Sequence, residues 1–103
     1  MATSKIQGTI DTGWKTLKNG IVYRKVGSIV YVQIEALTPA ATSGTELLGT
    51  LPQGYRPSLN VQPFIRKGAQ ILQAWITDQG NINVTATTSP GVYAGFVSFA
   101  VNN

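Results

Sequence analysis

Apolar and polar residues alternate in short stretches along this chain, and nowhere do apolar residues recur at the 3.6-residue spacing of a helix. The stretches are rich in Val, Ile, Tyr and Thr and are punctuated by Gly, Pro and Asn, which predicts strands joined by turns. Residues 21–36 form the clearest unit. Gly27-Ser28 fits a two-residue hairpin turn with glycine first, which opposes Val26 to Ile29, Tyr23 to Val32 and Ile21 to Ile34. That register gathers Ile21, Tyr23, Val30, Val32 and Ile34 on one face. Arg24, Tyr31, Gln33 and Glu35 fall on the other.

A second hairpin spans residues 69–87, with Asp78-Gln79-Gly80 as a type I turn and Gly80 in the left-handed bulge position. Opposing Thr77 to Asn81 places Ile76 across from Ile82, Ala74 from Val84 and Leu72 from Ala86. The opposite face then carries Ile71, Gln73, Trp75, Asn83, Thr85 and Thr87. A slip of one residue would bury the asparagines, so this register is well specified.

Further strands are expected at residues 14–18, turning at Asn19-Gly20, at 47–51 and at 61–65. Pro63 should put the last of these at a sheet edge or a bulge. The final strand, residues 95–101, sends Val97, Phe99 and Val101 inward, and Trp14 is expected to anchor the first strand in the core. Residues 38–45 read as an exposed loop. The expected fold is all-β: an antiparallel sandwich or jelly-roll-like barrel of about seven short strands. Residues 1–12 read as a linker or lead-in strand and residues 13–103 as one domain, at the small end of self-sufficiency.

Composition narrows the chemistry. The chain has no cysteine and no histidine, so it lacks disulfides, thiolate metal ligands and the commonest general base. No apolar run approaches the roughly 18 residues of a membrane helix, so membrane insertion is not expected. Charged residues are 12% of the total, and about thirty Ser, Thr, Asn and Gln fill strand surfaces instead. Neutral amides and hydroxyls suit burial against sister subunits, where charge is costly to desolvate, and hydrogen bonding to polyols. The net charge of +4 comes from Lys and Arg spread along the chain in singles and pairs, unlike the concentrated stripe of a nucleic-acid binder.

The segment Leu51-Pro52-Gln53-Gly54-Tyr55-Arg56-Pro57-Ser58 is physically a turn, with Pro52 presetting φ, Gly54 free to be left-handed and Pro57 keeping Arg56 extended. It resembles the Leu-Pro-x-Gly-Tyr-Arg-Pro signature of C-terminal domains in tail and receptor-binding proteins of phages that infect Gram-positive bacteria. The resemblance extends upstream to Gly13-Trp14, Val22-Tyr23-Arg24-Lys25-Val26-Gly27 and Val30-Tyr31-Val32. Downstream it takes in the run from Ile76 to Val84 and the closing Phe99-Ala100-Val101-Asn102. It implies a homotrimeric β head at the tail tip or baseplate of the virion, acting at the host cell surface. Its implied partners are a host cell-wall saccharide and other tail or baseplate proteins. The chain is then expected to be a C-terminal fragment of a longer tail protein.

The four acids, Asp11, Glu35, Glu46 and Asp78, do not suggest the facing carboxylate pair of a glycosidase. Asp78 is explained by its turn, Glu35 by an outer strand face, and Asp11 and Glu46 by loop edges. No catalytic residue, metal ligand or cofactor is expected. Trp75 is the best candidate for ligand binding, because a ring off the core beside amides can stack on sugar C–H groups while the amides pair with hydroxyls. Gln73, Asn83 and Tyr93 are its expected partners, Tyr93 being presented from the loop at residues 89–93. Trp75 and Ile71 also fit packing at a subunit interface or against a second sheet. A purely structural trimerisation module is therefore the alternative to an adhesin, with an OB-like single-strand binder as a third reading.

Overall fold

The computed structural model describes residues 11–101. Eight strands occupy them: β1 (Lys15–Lys18), β2 (Ile21–Val26), β3 (Ile29–Leu37), β4 (Thr45–Thr50), β5 (Phe64–Lys67), β6 (Gln70–Ile76), β7 (Asn81–Thr85) and β8 (Tyr93–Ala100). All pairings are antiparallel, in the order β1-β2-β3-β8-β5-β6-β7-β4. The sheet curls until β1 approaches β4, with Leu17 lying over Gly49, so the fold is an eight-stranded, nearly closed antiparallel β-barrel. Closure of this kind leaves little unpaired edge. Of the lead-in stretch, residues 1–10 lie outside the described residues, while Asp11 bridges to Val26 and Thr12 donates its N–H to the Lys25 carbonyl.

Both hairpins adopt the register that alternation demands. Ile21 faces Ile34, Tyr23 faces Val32 and Val26 faces Ile29. Ala74 faces Val84 and Ile76 faces Ile82. Leu72 instead faces Ile65 of β5, because β6–β7 pairing ends at Ala74. Leu72 and Ala86 are nevertheless buried with the rest of that face. Beyond Ile34 the alternation of β3 would expose Leu37. A bulge at Glu35 and Ala36, with Ala36 at φ 56°, turns Leu37 inward against Tyr93.

Two expectations are corrected. Trp14 lies outside the core with 47% of its surface exposed, capped by the Arg24 guanidinium at 5.7 Å. The segment around Pro63 is a locally open edge, as Pro63 demands: residues 61–65 pair with β6 alone, and β5 meets β8 only at Arg66 and Lys67. Pro63 stands just before β5, where its carbonyl accepts from Ala74 N–H. Glu46 is no loop-edge acid but, among the described residues, one of two buried charged side chains, with Lys67.

The segment 51–58 closes one end of the barrel. Leu51 is fully buried, and its N–H donates to the Gly80 carbonyl. The Leu51 carbonyl in turn accepts from Arg56 Nε at 2.8 Å. Tyr55 N–H donates to Pro52, and its ring meets Tyr23 edge-on with centroids 4.8 Å apart. Lys25 Nζ donates to the Gly54 carbonyl at 2.8 Å and lies over the Tyr55 ring. Tyr55 thus pins the turn to β2.

Gly80 and Gly27 both have positive φ, at 87° and 61°, but differ in surroundings. A Cβ on Gly80 would lie 2.7 Å from the Leu51 carbonyl oxygen and 2.8 Å from Arg56 Nε, whereas nothing lies within 4 Å at Gly27. Gly27→Ala should cost about 1 kcal/mol, the strain of a left-handed alanine. Gly80→Ala should cost about 2–4 kcal/mol, since overpacking against backbone is added. Equal losses in urea unfolding would show that the segment does not clamp this turn.

Candidate functional site

The sugar-binding expectation rests on which side chains alternation sends outward. On β6, Gln73 and Trp75 point away from the core, and on β7 so does Asn83. Asn83 lies across from Trp75 on one side and from Leu47 of β4 on the other. Gln73 lies across from Phe64 of β5, which is 70% exposed. The structure therefore brings Trp75, Gln73 and Asn83 together and adds Phe64 and Leu47. Tyr93 is not among them. It is fully buried and opposes Leu37 and Lys67 inside the barrel, so its assignment to a binding rim is corrected. Its place at the start of β8 fixes this: Tyr93 is in register with the inward Phe99.

The Tyr93 hydroxyl donates to Glu46 Oε1 at 2.7 Å, and burial with this bond pushes the phenol well above its ordinary range. Glu46 also accepts from Ala40 N–H and Ala41 N–H, at 2.8 and 3.2 Å. Its carboxylate thereby ties the 38–44 loop to the core.

Next to the Trp75 patch, β5 and β8 pair only at Arg66–Ala94 and Lys67–Tyr93. Past those pairs the seam widens into a groove of about 470 Å³, whose lining includes Phe64, Arg66, Ile71, Phe96, Gln33 and Glu35. Gln33 Nε2 donates to Glu35 Oε1 at 3.3 Å. Phe96 stacks on Tyr31, with centroids 6.1 Å apart and planes at 28°. Tyr31 and Trp14 then flank Arg24. Five of the nine aromatic residues, Trp14, Tyr31, Phe64, Trp75 and Phe96, thus lie off the core, interleaved with Gln33, Gln73 and Asn83. Phe64 and Phe96 escaped the sequence reading. Phe64 was legible in principle, since it follows Pro63 and alternates with Ile65, but its strand had no hairpin to set its register.

The four acids serve four different purposes: Asp11 pairs with Arg24, Glu46 holds a loop, Glu35 borders the groove, and Asp78 sits in the β6–β7 turn. Among the described residues, no three acids gather to hold a metal ion. No described helix is long and apolar enough to cross a membrane.

Arg24 donates through Nε and Nη2 to Asp11, and Gly13 N–H adds a bond at 2.8 Å. The Arg24 bond, followed by that from Gly13, holds the Asp11 carboxyl down to about 2, against an ordinary 3.8. A depressed folded value means that this attachment is complete above the ordinary carboxylate range and is lost as pH falls toward 2. NMR titration of the Asp11 carboxyl should give a midpoint near 2 in the wild type. In Arg24→Gln it should move back toward 3.8; an unchanged midpoint would remove Arg24 as the cause.

In comparisons with known proteins, the chain matches no family model and no curated protein.

Proposed function

We propose that this chain is the receptor-binding head of a phage tail protein, a jelly-roll-like barrel that holds host cell-wall saccharide without covalent chemistry. The observation that carries the reading is the outer surface running from Trp75 through Phe64 to Phe96. Rings lie there beside the amides of Gln73, Asn83 and Gln33. Saccharides need this combination, because their C–H faces stack on aromatic rings while their hydroxyls pair with donors and acceptors that carry little charge to desolvate. The signature turn and the ordered segments around it support the assignment to a phage tail. In this reading the head works as a homotrimer at the tail tip or baseplate, attached to other tail proteins. Weak single sites displayed together can raise avidity by about 10²–10⁴.

One observation favours the alternative, a trimerisation module without ligand. Phe64, Ile71 and Phe96 are 70%, 66% and 56% exposed around one groove, a cluster of large apolar side chains that a subunit interface would cover. Trp75→Ala separates the readings. The adhesin reading expects at least a tenfold loss of host-cell adsorption, with the mass in solution unchanged at about three times 11.0 kDa. Ile71→Glu is expected to split the assembly. Trp75→Ala that adsorbs normally, or that loses the trimer, would favour the structural module. A mass near 11 kDa for the wild type would defeat both.

A further inference from the structure

Lys67 is the one basic side chain among the described residues that the fold buries, with 4% of its surface exposed. The alternation of β5 dictates this, since Phe64 and Arg66 point outward while Ile65 and Lys67 point inward. An ammonium has three donors. The structure gives Lys67 one acceptor, the Thr87 carbonyl at 2.6 Å, and the face of the Tyr93 ring, whose centroid is 5.8 Å away. Arg24–Asp11 is the only ion pair among the described residues, so no carboxylate makes direct ion-pair contact with this amine. Glu46, the other buried charge, is engaged by Tyr93, Ala40 and Ala41. A buried charge without a counterion is unfavourable unless something pairs with it.

Lys67 lines a depression of about 340 Å³ together with Ala69, Gln70, Ser89 and Pro90. No acid lines it. Gln70 uses Oε1 to accept the Thr87 hydroxyl at 2.9 Å, which leaves its NH₂ end to donate, and Ser89 offers a hydroxyl. The walls are already in place. A Cβ on Gly68 would lie 2.6 Å from the Pro90 carbonyl oxygen, and one on Gly91 would lie 2.6 Å from Gly68 N. The 88–92 loop therefore rests backbone on backbone against the β5–β6 turn, joined by Gly68 N–H donating to the Val92 carbonyl.

We propose that this depression is an oxyanion site, in which a carboxylate or phosphate group sits against Lys67 with Gln70 and Ser89 as neutral donors. The buried positive charge supplies the attraction, which is stronger beside a low-dielectric interior than in open water. The site is independent of any saccharide on the outer surface, because the consecutive residues Arg66 and Lys67 serve opposite faces of β5.

The test is a set of ¹⁵N–¹H NMR titrations of the whole chain at constant ionic strength, with inorganic phosphate, acetate and dimethyl phosphate as separate probes. Saturable shifts confined to the amides of residues 67–70 and 87–91 are expected, with sodium chloride producing none. Lys67→Met should abolish them. Gln70→Glu, which places a carboxylate at the rim while keeping Lys67, should weaken binding at least tenfold, and it decides the matter if Lys67→Met fails to fold. Tighter binding of dimethyl phosphate would assign the site to a phosphodiester within a polymer, and tighter binding of inorganic phosphate to a free ion. Amides that stay still with all three probes, or that shift equally in Gln70→Glu, would overturn the proposal.

Discussion

The barrel depends on the way Leu51 is held. It leaves β4, enters the core completely and hydrogen-bonds both to a distant turn and to its own segment. Its N–H reaches the turn between β6 and β7, and its carbonyl takes the Arg56 guanidinium, which lies against Gly80. Four residues after Leu51, Tyr55 is locked between Tyr23 and Lys25 of β2. One short segment therefore ties β2 to the β6–β7 turn. These contacts join parts of the chain tens of residues apart, which is the costly kind of order for a small all-β domain to establish. Leu51, Gly54, Tyr55 and Arg56 of the signature thus all have structural work to do.

The second constraint is the narrow pairing between β5 and β8. β5 meets β8 at only two residue pairs, Arg66–Ala94 and Lys67–Tyr93. Where the two strands diverge, the outer surface opens into the groove beside Phe64, Arg66 and Phe96. Gly95, on the inner side of β8, accommodates the packing below: a Cβ there would lie 2.5 Å from Ile65 Cγ2. The groove is thus a consequence of how the sheet is closed, and its walls are strand residues with little freedom to shift.

Among the described residues, buried charge is confined to the surroundings of Tyr93. Glu46 gathers donors from the 38–44 loop and from Tyr93, while Lys67 reaches the carbonyl of Thr87. Each places a charge where water is scarce and surrounds it with oriented dipoles. Glu46 is fully supplied with partners, whereas Lys67 retains donors to spare. That asymmetry sets the region apart from the otherwise apolar core.

Local alternation determined the hairpins by itself. The registers of the two hairpins, the turns at Gly27 and Gly80 and the outward placement of Gln73, Trp75 and Asn83 all follow from period-two patterning plus turn chemistry. Those features lie within single hairpins, where the turn sets the register and the apolar face confirms it. Tertiary structure decided the rest. The pairings of β8 with β3 and β5, and of β4 with β7, join segments that no short turn connects, and nothing local marks them as neighbours. Tyr93 therefore read as a rim residue and proved to be core, Trp14 read as core and lies outside, and Phe64 and Phe96 joined the outer surface unannounced. Alternation tells which residues share a face. Only the closing of the sheet decides which strands become neighbours, and so which side chains form a site.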